Sequence, residues 1–268
     1  MKKRLFTLVL VLLTGAMPTQ AAEYLFGVVP QQSATRLAQQ WTPILRALSK
    51  EVGHDFLFAT AKDIPTFEKR LKEGVFDFAY MNPYHFVVFN ENPGYQAVAK
   101  AKDKKIRGII VVRKDSGINS VHQLNGEELA FPSPAAFAAS ILTRAYLKQR
   151  GVEFTPKYVS SHDSVYLGVE RKFYKAGGGI QRTFNAMNPD VTEQLVPIWT
   201  TEGYTPHAIA SHPDISPELK TKVDAFFARL SETTEGKSLV EPLKLKGFVN
   251  AQNSDWDDIR ALDIHLLD

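Results

Sequence analysis

The sequence has 268 residues, with 32 Lys and Arg against 29 Asp and Glu, 44% hydrophobic residues and no cysteine. The absence of cysteine excludes disulfides, thiolate metal sites and a lipid-acceptor cysteine. The near balance of charge disfavours nucleic acid and anionic membrane surfaces as partners. A chain of this length forms either one large domain or two lobes.

The first residues have the pattern of a cleavable secretory signal. A basic stretch, Met1–Arg4, precedes the apolar run Leu5–Leu13 and the small-residue site Thr19-Gln20-Ala21. The run is too short to be a good bilayer anchor, since a spanning helix needs about 20 apolar residues. We therefore expect residues 1–21 to be removed and the protein to be periplasmic; a retained anchor is the alternative. Without its three basic residues the remaining chain has 29 basic and 29 acidic residues.

Strands alternate with helices along the first part of the chain. The pattern predicts strands at 24–29, 55–60, 75–81 and 106–112, with a helix ending at Gly53, a helix between Asp63 and Gly74, and a helix starting at Pro83. Apolar residues of the first helix recur on one face, and Pro43 is expected to kink it. His85 is expected on the surface of the third helix.

A second alternating set follows. It has predicted strands at 129–131, 157–159 and 195–200, helices at 135–149 and about 163–172, and a glycine-rich segment at 175–180. A return strand at 207–211 and helices at 217–230 and 234–243 complete the pattern. Two such sets in series predict two α/β lobes with parallel sheets.

Four of the predicted strands are followed directly by a residue that favours a helix start. We call these positions strand-to-helix corners; they lie at Ser33, Asn82, Ser133 and Ser161. Asn and Ser are good N-cap residues, and Pro follows both Asn82 and Ser133, as at the first position of many helices. In parallel sheets such corners lie where ligands bind, and helix starts favour anions. The alternative for any single corner is a capped helix that binds nothing.

Several stretches together resemble one protein family. These are FGVVPQQSATRLAQQWTPILRALSKEVG, VFDFAYMNPYHFVVF, SSHDSVYLGVERK and IWTTEGYTPHAIASHPDI. They resemble the periplasmic phosphate/phosphite/phosphonate-binding proteins of ABC transporters, and the resemblance covers about 25–215. It implies a two-lobed, type 2 periplasmic-binding-protein (Venus flytrap) α/β fold with a ligand cleft between the lobes. Lobe 1 would be 22–108 and 206–268, and lobe 2 would be 109–205.

The sequence also departs from that family. Phosphonate-binding members typically carry Ser-Thr-Ser at the start of a lobe-2 helix, where this chain reads Ser133-Pro134-Ala135-Ala136-Phe137. Two tyrosines that line the family's ligand site fall near Ile64 and Ile106, whereas His162 matches well. Fewer hydroxyls and more apolar walls favour a different or larger anion.

Ten residues are candidates for ligand contact: Gln31, Tyr80, Asn82, Tyr84, Ser133, Phe137, Ser161, His162, Gly178 and Arg182. The alternatives are core aromatics for the two tyrosines, a flexible turn for the glycines at 177–179 and a solvated charge for Arg182. His207 and His212 do not have the helical spacing of a metal pair. We expect no metal, cofactor or catalytic residue.

These observations predict a periplasmic solute-binding protein that passes a small anion to an ABC permease. A sensor that presents the bound anion to a membrane receptor is the second hypothesis. An enzyme using His162 with Asp163 or Glu202 is the third, although the sequence has no G-x-S-x-G, H-E-x-x-H or Walker motif. We expect a monomer without nucleic-acid partners.

Overall fold

The structure, a computed structural model, describes residues 21–267, so the predicted signal at 1–20 lies outside the described residues. The strands are β1 (Glu23–Val28), β2 (Asp55–Ala59), β3 (Phe78–Met81), β4 (Gln96–Ala101), β5 (Gly108–Arg113), β6 (Glu128–Phe131), β7 (Thr155–Tyr158), β8 (Ala176–Ile180), β9 (Leu195–Thr200), β10 (Ala208–Ser211) and β11 (Phe248–Asn250).

The α-helices flank these strands. They are α1 (Ala34–Val52), α2 (Ile64–Lys72), α3 (Pro83–Glu91), α4 (Thr143–Gln149), α5 (His162–Glu170), α6 (Gln181–Asn185), α7 (Pro189–Thr192), α8 (Pro217–Arg229), α9 (Thr234–Val240) and α10 (Asp257–Arg260). A π-helical segment, Phe137–Leu142, runs directly into α4. We call the continuous helix of residues 137–149 the Phe137 helix. Within residues 21–267, no helix is long and apolar enough to span a membrane.

The first lobe is built on a six-stranded sheet in the order β11-β4-β10-β3-β1-β2. Strand β1 pairs in parallel with β2 and β3, whereas β10 is antiparallel to both β3 and β4. The chain leaves this sheet after β4 and returns to it at β10, so the first lobe is discontinuous. The prediction of parallel sheets holds for β1, β2 and β3 but is wrong for the whole sheet, because the returning strand β10 runs against its neighbours. Strands β4 and β11 were not predicted.

The second lobe is built on a five-stranded sheet in the order β7-β6-β8-β5-β9. Strands β6, β7 and β8 are parallel, and β5 is antiparallel to β8 and β9. The two segments that connect the lobes bond to each other where Ile106 and Tyr204 exchange backbone hydrogen bonds of 2.8 and 3.0 Å. Two lobes of α/β structure confirm the predicted fold class, while the domain boundaries beside this bridge remain predictions.

The three consecutive glycines lie inside β8 and are buried, so they form neither a turn nor an approach to the cleft. A Cβ at Gly178 would lie 2.1 Å from the carbonyl oxygen of Ala139 in the Phe137 helix. A Cβ at Gly179 would lie 2.3 Å from the Tyr166 hydroxyl. The glycines therefore let this helix and α5 pack closely on the sheet, which corrects the predicted ligand role of Gly178.

Helix α1 shows how local signals and burial combine in the first lobe. The Ser33 hydroxyl caps its start by accepting from the Arg36 N–H, and Gly53 ends it in the left-handed region at φ 79°. Its buried face, which includes Trp41 and Leu48, packs on the sheet. Each large apolar side chain buried in this way contributes about 1.5–3 kcal/mol. Pro43 lies within this single helix.

Helix α3 is buried more deeply than the sequence pattern suggested. His85 is fully buried, and its Nε2 lies 2.9 Å from Oε1 of Glu68 in α2, so the expected surface position is wrong. The neighbouring Tyr84 hydroxyl accepts the backbone N–H groups of Leu266 and Leu267 at 2.7 and 3.0 Å. Both polar groups of α3 thus serve packing within the first lobe.

Candidate functional site

A small cavity lies where the two lobes meet. Its volume is about 10 Å³, which is about the space that one water needs. Its polar lining is Gln31, Asn82, His162 and His207, and its apolar lining includes Ile64, Ile106 and residues 136–139. Strands β1, β3 and β8 end beside it, as expected for a ligand site at the carboxyl ends of strands. We call this space the central cavity.

Gln31, in the turn after β1, contacts both sides of the central cavity. Its Nε2 lies 2.6 Å from Nε2 of His207, and its Oε1 accepts from Nη2 of Arg182 at 2.6 Å. Its backbone carbonyl accepts the N–H of His162 at 2.9 Å. Because an amide nitrogen can only donate, Nε2 of His207 must be the acceptor, and the imidazole must be neutral.

The two cavity histidines are held in the neutral form. Burial, with the positive charge of Arg182 adding to it, lowers the pKa of His162 to about 3 and holds the pKa of His207 well below its usual value. Nδ1 of His162 lies 3.2 Å from the Thr183 hydroxyl. Each neutral ring has one N–H donor, and neither ring brings a charge of its own at neutral pH.

Arg182 carries the cationic charge closest to this group. Its guanidinium is half-buried, donates to Gln31 and lies 6.0 Å from the centre of the Tyr80 ring. Within the described part of the chain, no carboxylate forms an ion pair with it. Tyr80 in turn stacks on His207, with ring centres 5.0 Å apart. Burial raises the pKa of the Tyr80 hydroxyl. A partly buried cation without an acidic partner favours a bound anion.

The start of the Phe137 helix forms the second-lobe wall of the central cavity. Its first intrahelical donors are the N–H groups of Ser140 and Ile141, which both bond the Ala136 carbonyl at 2.7 and 3.2 Å. The N–H groups of residues 137–139 belong to the first turn and have no acceptor within the helix. Ala136, at the cap position, has no side-chain oxygen that could accept from them. The cavity therefore faces the positive end of a helix that no side chain caps.

Ser133 does not cap this helix, which corrects the predicted corner. Residues 134–136 form a turn, so the helix begins at Phe137 rather than Ala135. The Ser133 hydroxyl is 1% exposed, and the side-chain oxygens of Ser133 and Ser140 have no hydrogen-bond partner within the described residues. The other three corners are caps: Ser33, Asn82 and Ser161 accept from the N–H groups of Arg36, His85 and Ser164.

Two larger cavities flank the central one. The Asp163 cavity, about 580 Å³, is lined by Ser33, Arg36 and Lys62 of the first lobe and by Ser161 and Asp163 of the second. The Arg182 cavity, about 370 Å³, shares Ile106, Ile180 and His207 with the central cavity and is also lined by Tyr80, Arg182 and residues 103–107.

The structure brings most of the predicted site residues together. Gln31, Asn82, Phe137 and His162 line the central cavity, Tyr80 and Arg182 adjoin it, Ser133 is buried at the turn before the Phe137 helix, and Ser161 lines the Asp163 cavity. Tyr84 is not brought there, because its hydroxyl holds the C-terminal segment.

His207 is the cavity residue that the sequence analysis missed. Its signal was a polar residue directly before the apolar return strand β10, at the point where that strand lies beside β3. Ile64 and Ile106 do line the central cavity, so apolar side chains stand near the positions where the family has tyrosines. The first-lobe wall is therefore poorer in hydroxyl groups than the resemblance implies.

Comparison with known proteins extends these observations. The chain is 20% identical to the Phosphate-import protein PhnD of Mycolicibacterium smegmatis, over 87% of this chain and 82% of that protein. It is 23% identical to the Tetrathionate sensor histidine kinase TtrS of Salmonella typhimurium, over 49% of this chain and 24% of the kinase. PhnD1 of Prochlorococcus marinus, solved in complex with methylphosphonate, is 19% identical with a TM-score of 0.82, covering 90% of this chain and 96% of that one.

A family model described as ABC transporter, phosphonate, periplasmic substrate-binding protein matches residues 26–256. The match spans both lobes and includes every residue that lines the central cavity. Members of this family are the substrate-binding components of transporters. The chain therefore belongs to the family of periplasmic substrate-binding proteins of phosphonate ABC transporters.

Proposed function

We propose that this protein binds a small anion between its lobes, in the periplasm, and delivers it to an ABC permease. The observation that carries the proposal is the half-buried Arg182 guanidinium, which has no ion pair with a described carboxylate and lines the cavity adjoining the central one, where the Phe137 helix starts without a cap. Both features carry positive charge, and both therefore stabilise a negatively charged group. The phosphonate and phosphate ligands named for the relatives are anions of this kind.

The ligand replaces contacts that the lobes now make with each other. A volume of about 10 Å³ is too small for a phosphonate group, so binding requires the lobes to part and Gln31 to move. The Gln31 Oε1 stands where an anionic oxygen would meet Arg182. The N–H groups at residues 137–139 and the neutral His162 and Asn82 side chains supply the remaining donors.

Closure of the lobes around the ligand makes delivery possible. A ligand that contacts both lobes favours the closed arrangement by its difference in affinity for the two states. A permease that recognises this arrangement then accepts loaded protein. Small-angle scattering checks the motion: the ligand-free protein is expected to exchange with an opened arrangement of larger radius of gyration, which saturating ligand reduces, and an unchanged profile contradicts this.

Sensing is a second candidate function, favoured by the similarity of about half of this chain to a tetrathionate sensor kinase. In that case the closed form contacts a membrane receptor instead of a permease. The genes beside this one distinguish the two functions, since a permease and ATPase indicate transport, whereas a sensor kinase or cyclase indicates sensing.

Isothermal titration calorimetry with methylphosphonate, phosphate, phosphite, methanesulfonate and acetate tests anion binding. Replacing Arg182 by Gln removes a charge-assisted contact, so Arg182→Gln is expected to weaken binding of the best ligand about 10- to 100-fold. The control is Arg171→Gln, which changes an exposed arginine paired with Glu170 in the same lobe. Equal loss in both variants, or no binding by any of the five anions, contradicts the proposal.

Localisation has its own test. We propose that residues 1–21 are removed and that the remaining protein is released into the periplasm as a monomer. The intact mass of protein recovered by osmotic shock is expected to lack those residues, and light scattering is expected to give a single-chain mass. A membrane-bound product with the full precursor mass contradicts this proposal.

A further inference from the structure

The Arg182 cavity extends the central cavity toward the connecting segments of the two lobes. The two cavities are neighbours, because Ile106, Ile180 and His207 line both of them. At about 370 Å³ the Arg182 cavity falls in the range of small-molecule sites. Once the lobes part to admit a ligand, one with a group at the Phe137 helix can continue past His207 into this space.

Positive charge dominates this extension. Arg182, Lys104, Lys105 and Arg107 line the cavity, against the single carboxylate of Asp103. Within residues 21–267, none of the four cations forms an ion pair. Arg107 donates to the Thr201 carbonyl at 2.9 Å, and the nearby Asp255 carboxylate pairs with Lys100 at 2.7 Å. The cavity thus has an excess of unpaired cations.

The walls between the charged groups are apolar. Ile106, Ala101, Leu245 and Pro206 are buried and line the same cavity, together with the Tyr80 ring. A hydrocarbon segment gains from contact with such a surface, at about 25 cal/mol per Å² of apolar area removed from water. The cavity therefore combines an apolar passage with a cationic end.

We infer that the ligand carries two anionic groups joined by a short carbon chain, of the phosphonocarboxylate or related class. One group lies at the Phe137 helix, His162 and Arg182, and the chain passes Ile106. The second group meets Lys104, Lys105 and Arg107 in the Arg182 cavity. This inference rests on the proposed function and names the class of its ligand. It also explains why the second-lobe wall lacks the Ser-Thr-Ser hydroxyls typical of phosphonate-binding members, because the cations of the Arg182 cavity compensate for those missing donors.

A matched pair of ligands tests the inference. Propylphosphonate and 3-phosphonopropionate have the same head and chain length, and only the second has a carboxylate at its far end. Calorimetry on the wild-type protein is expected to show about tenfold tighter binding of 3-phosphonopropionate. The triple variant Lys104→Gln, Lys105→Gln, Arg107→Gln is expected to bring the ratio of the two affinities close to one.

Lys62→Gln serves as the control, because Lys62 is an exposed cation lining the Asp163 cavity on the other side. It is expected to leave the ratio unchanged. Equal wild-type affinities for the two ligands overturn the inference and leave anion binding intact. A ratio that persists in the triple variant also overturns it. If neither ligand binds although one of the five anions tested above does, the inference is overturned and the proposed function stands. If those five anions also fail, the proposed function is wrong and the inference fails with it.

Discussion

The two sides of the cleft differ in how their charges are matched. On the Asp163 side the lobes contact each other through polar groups: the Asp163 carboxylate accepts the Ser33 N–H at 3.4 Å, and Arg36 donates to the Ala186 carbonyl at 3.0 Å. On the Arg182 side four cations face one carboxylate without an ion pair among the described residues. Both sides therefore join the lobes, since Arg182 itself donates to Gln31. The Arg182 side has the larger excess of cations, four against one carboxylate, compared with Arg36 and Lys62 against Asp163 on the other side.

This difference separates closure from recognition. Contacts between lobes set how easily the cleft opens, while unpaired charge sets what it attracts. A variant on the Asp163 side should change stability or closure without changing the ligand class. A variant on the Arg182 side should change ligand affinity or ligand class with little change in stability. We expect this of Arg182→Gln and of the triple variant of Lys104, Lys105 and Arg107.

The largest effect is expected at the wall of the central cavity, which lies between the two sides. Gly178→Ala places a Cβ 2.1 Å from the Ala139 carbonyl, so the Phe137 helix must move away from β8. We expect a loss of about 3 kcal/mol or more in the free energy of unfolding, measured by urea denaturation. Gly117→Asn is the control, because nothing lies within 4 Å of its Cβ position and Asn tolerates its φ of 71°. A Gly178→Ala protein as stable as the control would contradict the close packing of the Phe137 helix on β8.

Low pH tests the central cavity, which lies between the two sides, through the protonation of His162. The pKa of His162 is about 3 in the folded protein, lowered first by burial and then by Arg182, against about 6.5 when unfolded. Between these values the unfolded chain binds the proton and the folded chain does not. The stability that the folded protein gains from a neutral His162 is complete above pH 6.5 and falls as the pH drops toward 3.

We therefore expect the free energy of unfolding to fall by about 2 kcal/mol between pH 6.5 and 4.5 because of His162 alone. Urea denaturation at both pH values measures this loss. His162→Gln cannot titrate, so its slope with pH should be shallower. Identical slopes in the two proteins would show that His162 is not held neutral by the closed lobes.

The smallest effect is expected on the Asp163 side. Burial raises the pKa of the Asp163 carboxyl, although the Ser33 N–H and Arg36 act in the opposite direction. A raised folded pKa means that ionisation costs stability, so stability due to this group is present at low pH and is lost as pH rises through that pKa.

Asp163→Asn should accordingly be neutral or stabilising at pH 7, by about 1 kcal/mol or less, with the difference vanishing near pH 4. Thermal denaturation at the two pH values measures it. Ligand affinity should change less than in Arg182→Gln. A larger loss of affinity in Asp163→Asn would reverse the assignment of the two sides.

Much of the local structure followed from the sequence, because its causes lie within a few residues. The caps at Ser33, Asn82 and Ser161 each bond an N–H three residues ahead, and Gly53 ends α1 through its own φ. Most strands were predicted for the same reason, since alternation and turn residues are local signals. Asn82 at one of these corners, and Gln31 and His162 next to two others, are therefore cavity residues that local sequence signals predict.

The tertiary structure alone decided the rest. Gln31 meets Arg182 and His207 across 151 and 176 residues, and no local pattern encodes such contacts. The same holds for the role of Gly178, which depends on a helix packed against β8, and for β11, a three-residue strand that pairs with β4 from a distant part of the chain. Sequence periodicity determined which faces are buried, whereas the unpaired charge beside the central cavity arose only when distant segments were brought together by packing of the two lobes.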